Sequence, residues 1–146
     1  MGTVGLDKII VTPLKRIKTD GGDVLHGMKD GESGFVKFGE VYFSLIEFNQ
    51  VKAWKRHMKM TLNLVVPIGQ VRFFFISGDK DKSNAHRIIE IGERNYVRLT
   101  VPPGIWFGFK GIVSSQNLIM NIASHRHDQS EYEKTSEKSF TYDWDT

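Results

Sequence analysis

The stretch VPPGIWFGF, from Val101 to Phe109, decides the fold, because a Pro-Pro-Gly corner separates two apolar runs. The run before the corner and the run after it are rich in the β-branched and aromatic residues that favour strands. Proline and glycine at the corner interrupt the backbone pairing and mark a turn. The stretch therefore predicts two short strands that meet at a tight corner.

The same pattern of apolar runs and turn residues recurs along the chain. Turns are expected at Gly39, at Gly92-Glu93 and at Ser114-Ser115, and VKAWKRHMKM reads as one strand. We expect TLNLVVP and VRFFFIS to form a hairpin across Ile68-Gly69-Gln70. Roughly eight to ten strands at spacings of about 8–12 residues, with no long amphipathic helix, predict an all-β sandwich or barrel, of which the jelly roll is one form. With no repeat or linker, residues 1–146 are expected to form a single domain.

The composition is that of an ordinary globular protein, with 40% hydrophobic and 25% charged residues. The chain has no cysteine, so it has neither disulfides nor a thiolate metal site. No apolar run approaches the roughly 18 residues that a membrane-spanning helix needs, and the N-terminus lacks the pattern of a signal peptide. These features predict a reduced, cytoplasmic protein with no membrane partner.

The charge is unevenly distributed along the chain. The net charge is +3, but the six acids and two lysines from Asp128 to Thr146 give −4, so the preceding part carries +7. A positive body suits an anionic ligand such as a phosphate, although it is also compatible with a plain solvated surface. Lysines and arginines do not form a stripe interleaved with aromatics, so nucleic acid is not an expected partner.

The strand VKAWKRHMKM carries the most informative histidine. Side chains alternate along a strand, so Lys55, His57 and Lys59 should share one face. If that face is solvated, it is a basic surface. If it lines a barrel mouth, it suits an anion or a developing enolate, and the two cations would lower the pKa of the imidazole and keep His57 neutral as a base.

Other motifs of catalysis or metal binding are weak or missing. His125 and His127 form an H-x-H pair, but zinc generally needs three or four ligands, and a polar loop explains the pair better. The sequence has no glycine-rich phosphate loop and no G-x-S-x-G nucleophile motif. These observations leave the strand of His57 as the centre of interest.

Three stretches in order, GEVYFSLIEFNQVKAWKRHMKMTLNLVVPIGQVRFFF, LTVPPGIWFGF and FTYDW, resemble the dTDP-4-dehydrorhamnose 3,5-epimerase family in its shorter-chain branch. The resemblance spans about residues 21–145 and implies a cupin-type jelly-roll β-barrel. It implies an isomerase of carbohydrate biosynthesis that epimerises a 4-keto-6-deoxy sugar linked to a nucleoside diphosphate, dTDP above all, without a metal or cofactor. Members of the family are typically homodimers.

The resemblance also implies roles for individual residues. His57 matches the family's base, Asp143 in FTYDW matches the aspartate that orients it, and a lysine such as Lys55 or Lys59 stabilises the enolate or binds the diphosphate. Catalysis of this kind is general acid–base chemistry with an oxyanion stabiliser. The remaining residues expected to bind substrate are Arg72, Trp106, Phe107, His127 and Tyr132.

The chain departs from the family pattern at several positions. Trp54 replaces an arginine, the expected lysine after the histidine falls near Thr61 or Leu62, and Phe107 stands where histidine is common. The window of the acid tyrosine holds His125 to His127, with Tyr132 further on. These departures favour an alternative in which the barrel binds a sugar nucleotide or carbohydrate without reacting. A 3,4-ketoisomerase ranks lower, because Lys55 and Lys59 occupy positions where that family has histidine.

Metal-binding cupins offer a further comparison. Their first motif needs a second histidine and a glutamate after His57, but Lys59 follows and no glutamate occurs before Gly69. Their second motif needs a histidine at the position of Phe107. Because neither an ammonium group nor a phenyl ring offers a lone pair to a metal ion, no metal site is expected in the usual cupin position.

Overall fold

The computed structural model describes residues 4–78 and 85–145, and within these ranges the chain is almost entirely strand and loop. The three 3-10 helices are Leu6–Lys8, Gln129–Glu131 and Glu137–Ser139. None of these helices has the length or the apolar character to cross a membrane. The described strands are β1 (Ile10–Pro13), β2 (Arg16–Ile17), β3 (Val24–Leu25), β4 (Glu40–Leu45), β5 (Val51–His57), β6 (Leu62–Ile68), β7 (Gln70–Ile76), β8 (His86–Gly92), β9 (Val97–Val101), β10 (Trp106–Gly111), β11 (Leu118–Ala123) and β12 (Tyr132–Lys134).

Two antiparallel five-stranded sheets form the body of the protein. The first sheet has the order β1-β9-β6-β11-β4, the second has the order β12-β5-β10-β7-β8, and β2 and β3 form a small separate pair. From β4 to β12 the chain alternates between the two sheets, except that β7 and β8 follow each other and pair within the second sheet. This arrangement confirms the all-β jelly roll that the sequence predicts.

The expected hairpin across Ile68-Gly69-Gln70 is wrong in its pairing. β6 pairs with β9 and β11, whereas β7 pairs with β8 and β10, so Gly69 joins two strands of opposite sheets. Gly69 has φ +86°, and a Cβ added there would lie 2.2 Å from the carbonyl oxygen of Gln116. Only glycine tolerates both conditions, and it allows the chain to turn between the sheets within one residue.

A turn at Gly39 predicts a strand on each side of it, but only the segment after Gly39 forms a strand. Only the segment after Gly39 pairs, as β4, and Gly39 itself donates its N–H to the carbonyl of Ala123. A Cβ added to Gly39 would lie within 2.4 Å of the backbone of His125. The missing side chain therefore allows the backbone at Gly39 to pass close to the backbone of His125, just before β4 begins.

The main core fills the space between the two sheets. Every second residue of β7 faces this space, with Phe73 and Phe75 fully buried and in ring contact at 6.2 Å. Leu64 and Leu99 of the first sheet are buried in the same cluster. Burial of each large apolar side chain contributes about 1.5–3 kcal/mol, so this layer supplies much of the driving force for folding.

The outer face of the second sheet is covered by the C-terminal segment. Trp54, Phe74 and Trp106 are buried there against Phe140, together with Tyr142 and Trp144. The ammonium group of Lys110 donates to the carbonyl of Trp144 at 2.8 Å and fixes the segment near its end. The second sheet is therefore apolar on both faces, which explains the uninterrupted run of Phe73 to Phe75.

Candidate active site

His57 lies at the end of β5, on the face of the second sheet that looks toward the first sheet. Its side chain is only 4% exposed. β5 pairs with β10 on one side and with β12 on the other, so the backbone around the imidazole is held from both edges. The histidine that the sequence predicts as a base is thus a buried residue of the barrel interior.

An irregularity in β5 decides which residues share the face of His57. Lys55 is opposite Phe107 and Ala53 is opposite Gly108, so Trp54 between them has no partner on β10. An unpaired extra residue shifts the alternation by one position. Lys52 therefore joins Lys55 and His57 as a residue that lines the interior.

The carboxylate that holds His57 is Glu131, not Asp143. Glu131 hydrogen-bonds Nδ1 of His57, and both side chains are buried, at 4% and 5% exposure. Asp143 is exposed in the segment that covers the outer face of the second sheet, where its carboxylate accepts from the backbone N–H of Asp145. The predicted pairing with Asp143 is wrong, because the sheet itself separates this segment from the imidazole.

The second oxygen of Glu131 has its own set of partners. Oε2 accepts from the backbone N–H groups of Met58, Lys59 and Met60, at 3.3, 3.1 and 3.2 Å. Burial raises the pKa of Glu131, but the hydrogen bonds from His57 and from the backbone outweigh burial and hold its pKa below the usual range. Glu131 is therefore an anion at neutral pH and a fixed acceptor.

The protonation state of His57 follows from these partners. Since a carboxylate anion only accepts, the imidazole carries its proton on Nδ1 and has its lone pair on Nε2. Burial lowers the pKa of His57 and outweighs the opposing effect of Glu131, and the charges of Lys55 and His127 lower it further. His57 is neutral near pH 7, with a basic Nε2.

Nε2 of His57 is buried, and no described residue forms a hydrogen bond with it. The ring lines a cavity of about 430 Å³ between the two sheets, a size within the usual range for ligand pockets. Apolar walls come from Leu62, Leu64, Phe73 and Ile119. A basic nitrogen without a partner thus lies, covered by its neighbours, in the wall of a cavity in which a ligand fits.

Phe107 and Tyr132 are both in contact with the imidazole. The Phe107 ring stacks on His57 with centroids 6.2 Å apart and planes inclined by 15°. The Tyr132 ring lies 5.9 Å from His57, and the Lys55 ammonium group sits 4.1 Å above the Tyr132 ring. Phe107 therefore shields the imidazole from water. Because this position holds phenylalanine, it does not supply a second base.

Three lysines surround the cavity on the side of β5 and β12. Lys52, Lys55 and Lys134 all line it, and Lys134 is the direct register partner of Lys55. Burial lowers the pKa of Lys55, and the charge of Lys134 lowers it further. Like charges placed directly opposite across a strand pair are destabilising, so this arrangement favours an anionic ligand.

Lys59 and His127 lie outside this cavity. The backbone bends after His57 so that three successive N–H groups reach Glu131, and the alternation that would put Lys59 beside His57 is lost. Lys59, His125 and His127 line a second groove on the far side of Glu131. The prediction that Lys59 shares the face of His57 is wrong for this reason.

Arg72 and Trp106 also lie away from the cavity. Both are on the outer face of the second sheet, where Arg72 forms an ion pair with Glu90 at 2.9 Å. Trp106 packs on Phe140 and under the guanidinium group of Arg56 at 4.8 Å. The structure therefore does not bring these two predicted residues to the imidazole.

Several residues at the site are absent from the sequence-based prediction. These are Glu131, Lys52, Lys134 and, in the opposite wall, Tyr42, Ser44 and Asn121. Lys134 could have been predicted as part of a strand, because charged residues alternate with others in the SEYEK segment. Glu131 is 74 residues from His57 along the chain, and no spacing rule connects them.

The described side chains do not form a cluster of metal ligands. Within residues 4–78 and 85–145, no group of three or more histidine and carboxylate side chains is placed to hold a metal ion. His125 and His127 sit in a bend after β11 rather than on one face of a strand. Acid–base chemistry by side chains is what the described geometry can provide.

Comparison with solved structures gives clear matches. A dTDP sugar isomerase from Desulfovibrio desulfuricans G20 has 31% identity and a TM-score of 0.88, over 94% of this chain and 91% of that one. A dTDP-4-dehydrorhamnose 3,5-epimerase from Sulfolobus tokodaii has 16% identity and a TM-score of 0.78, over 97% and 85%. A sugar 3,4-ketoisomerase from Thermoanaerobacterium thermosaccharolyticum, solved with TDP, has 18% identity and a TM-score of 0.72, over 92% and 93%.

The two matches below 20% identity show the shared cupin-type jelly roll, and the match at 31% adds sequence similarity along nearly the whole chain. No protein-family profile and no curated protein sequence matches the chain.

Proposed function

Since this chain belongs to the family of dTDP-sugar isomerases and dTDP-4-dehydrorhamnose 3,5-epimerases, we propose that it is a metal-free epimerase of a 4-keto-6-deoxy sugar linked to a nucleoside diphosphate, dTDP in the first place. One observation carries the proposal. Nε2 of His57 is buried and unpartnered at a cavity, while Glu131 fixes the opposite nitrogen.

The chemistry starts at the carbon next to the ketone. Nε2 of His57 takes the proton from this carbon, and the electron pair moves onto the carbonyl oxygen to give an enolate. Glu131 keeps the proton of the resting imidazole on Nδ1 and stabilises the imidazolium that forms. Return of a proton to the opposite face inverts the carbon and completes the epimerisation.

Cations at the cavity provide the electrostatic part of catalysis and of binding. Lys55 is two residues from His57 and lines the same cavity, so it would stabilise the enolate oxygen, an effect that is large where water is excluded. Lys52 and Lys134 would hold the diphosphate outside the sugar. The apolar floor of the cavity suits the 6-deoxy end of the sugar.

The direct test is exchange of the carbon-bound hydrogen with solvent. The protein is incubated in D₂O with dTDP-4-keto-6-deoxyglucose, and deuterium at C3 and C5 is followed by NMR and mass spectrometry. We expect exchange with the wild type and at least about a 100-fold slower exchange with His57→Asn, because a positioned base contributes roughly 10²–10⁴-fold. His86→Asn is the matched control, since His86 is exposed on β8 and outside the cavity.

Unchanged exchange in His57→Asn would contradict the role of the histidine. Saturable binding of dTDP and the sugar nucleotide with no exchange by the wild type would instead support a binding barrel without catalysis. The position of the ketone in the product, read by ¹³C NMR, separates an epimerase, which keeps it at C4, from a 3,4-ketoisomerase, which moves it to C3.

A further inference from the structure

A tyrosine stands in the wall of the cavity that faces His57. Tyr42 of β4 and Asn121 of β11 are register partners in the first sheet, and both line the same cavity as His57. His57 belongs to the second sheet. Packed sheets are about 10 Å apart, so a flat ligand between them has the imidazole on one side and the phenol on the other.

The hydrogen bonds of Asn121 fix the direction of the phenolic proton. Oδ1 of Asn121 accepts from the backbone N–H of Asn63 at 3.3 Å, so its amide group Nδ2 is turned toward Tyr42 and donates to Oη at 2.8 Å. The phenol is therefore an acceptor in this contact and keeps its own O–H for another partner. No residue in the described part of the chain accepts that hydrogen.

The phenol also remains protonated at neutral pH. Burial raises the pKa of Tyr42 and outweighs the hydrogen bond from Asn121, and the charges of Glu40 and Glu131 raise it further. Tyr42 and His57 line the same cavity. Tyr42 is thus a proton donor at the cavity wall opposite a proton acceptor.

Tyr132 does not satisfy the same requirement. It lies on β12, directly opposite His57 in the same sheet, and its ring is covered by the Lys55 ammonium group. A donor in the same wall as the base returns a proton to the face from which it was removed. Inversion needs a donor in the other wall.

We propose that Tyr42 is the catalytic acid of the epimerisation, an inference that rests on the proposed function. His57 Nε2 breaks the C–H bond on one face, and the electron pair resides in the enolate. The enolate carbon then takes the proton from Tyr42 Oη on the other face, which forms the new C–H bond and a phenolate that Asn121 stabilises. Solvent returns a proton to Tyr42 and removes one from His57, so the cycle closes without a further reactant.

The test separates exchange from inversion in one experiment. Tyr42→Phe is incubated with dTDP-4-keto-6-deoxyglucose in D₂O, and the recovered sugar is examined for deuterium and for configuration at C3 and C5. We expect exchange with retained configuration to persist, while inverted product forms at least about 100-fold more slowly. The control is Tyr142→Phe, which removes a phenol from the outer face of the second sheet and should leave both rates unchanged.

The outcomes distinguish the two proposals. Inversion by Tyr42→Phe at the wild-type rate would overturn the role of Tyr42 alone, and so would an equal loss of exchange and inversion, which would show that the phenol only positions the substrate. A wild type that neither exchanges nor inverts any 4-keto sugar nucleotide would overturn the proposed function itself. Exchange without inversion in Tyr42→Phe alone supports both.

Discussion

At the scale of single residues, the two oxygens of Glu131 have different partners. One oxygen hydrogen-bonds Nδ1 of His57, and the other accepts hydrogen bonds from three backbone N–H groups. A carboxylate accepts at both oxygens, whereas an amide accepts at one and donates at the other. This difference makes substitution by glutamine a sharp probe.

In Glu131→Gln the amide oxygen would remain with the three backbone donors, so the NH₂ group would face Nδ1 of His57. Nδ1 would then accept, and the proton would move to Nε2, where it blocks the base. We expect kcat to fall about 10²–10⁴-fold with the fold retained. Glu133→Gln is the matched control, since Glu133 pairs with Arg56 on the other side of the strand pair; an active Glu131→Gln enzyme would contradict the tautomer assignment.

The pH dependence of activity tests the environment of His57. A base works only when it is unprotonated, so activity falls as pH drops through its pKa. Burial places the pKa of His57 below the ordinary 6.5 despite the nearby carboxylate. We expect the acidic limb of kcat/KM for deuterium exchange to lie below pH 6.5, and a limb above that value would show that Glu131 outweighs burial.

How far the sequence predicts the site also depends on single residues. The alternation of the strand predicts that His57 and Lys55 share a face, and both side chains line the cavity. Glu131 could not be found, because a polar loop segment reaches His57 only through the pairing of β12 with β5. Asp143 sits in the matching motif, but aromatic packing holds that motif on the outer face.

At the scale of elements, local patterns predict where strands lie but not which strands pair. The turns at Gly69, Gly92 and Ser114 were placed correctly, yet each joins strands of opposite sheets. A hairpin and a corner between sheets use the same turn residues and the same alternation. The difference is decided by packing between distant strands, which no local window contains.

The irregularity at Trp54 has a similar consequence for the cavity. Regular alternation predicts that Lys52 faces away from Lys55, because the two residues are three positions apart and side chains alternate from one face to the other. The extra residue brings both to the interior. A bulge of this kind is a common device for redirecting side chains at a site, and the apolar pattern of VKAWKRH gives no sign of it.

The pairing of β12 with β5 leads to a test of anion binding. Lys134 lies directly opposite Lys55, so Lys134→Gln removes a repulsion and also the contact that we propose to the diphosphate. We expect roughly a two- to fivefold weaker affinity for dTDP by calorimetry, with a shallower dependence on salt and no loss of melting temperature. Lys138→Gln, in the helix Glu137–Ser139, is the control; unchanged affinity in Lys134→Gln would exclude the diphosphate from this side of the cavity.

At the scale of the whole molecule, the jelly roll is the part that the sequence predicts best. Short strands at regular spacing restrict the answer to sandwiches and barrels, and the resemblance of three motifs in order selects one of them. The sequence does not predict that the second sheet is covered on both faces, by the first sheet on one side and by the C-terminal segment on the other. The motif FTYDW is predicted to contribute to the active site. Its rings instead pack on Trp54 and Phe74, on the outer face of the second sheet.

The edge of the first sheet that β4 forms predicts a homodimer. Among the described strands β4 pairs only with β11, and its outward residues Val41, Phe43 and Leu45 are 41%, 61% and 57% exposed. Proteins rarely leave an apolar edge strand uncovered, because its free N–H and C=O groups pair with other chains. A second copy that adds its own β4 to this edge would satisfy the free backbone groups and bring the apolar side chains of the two strands into contact.

The dimer prediction is tested by Phe43→Glu, measured by light scattering after gel filtration. We expect the wild type to have twice the mass of one chain and Phe43→Glu to have the mass of one, because two like charges would face each other across the edge. Ile88→Glu on β8, at the edge of the second sheet, is the matched control and should remain dimeric. Because Phe43 points outward while its neighbour Tyr42 lines the cavity, a monomeric wild type would overturn the dimer and leave the chemistry of the cavity intact.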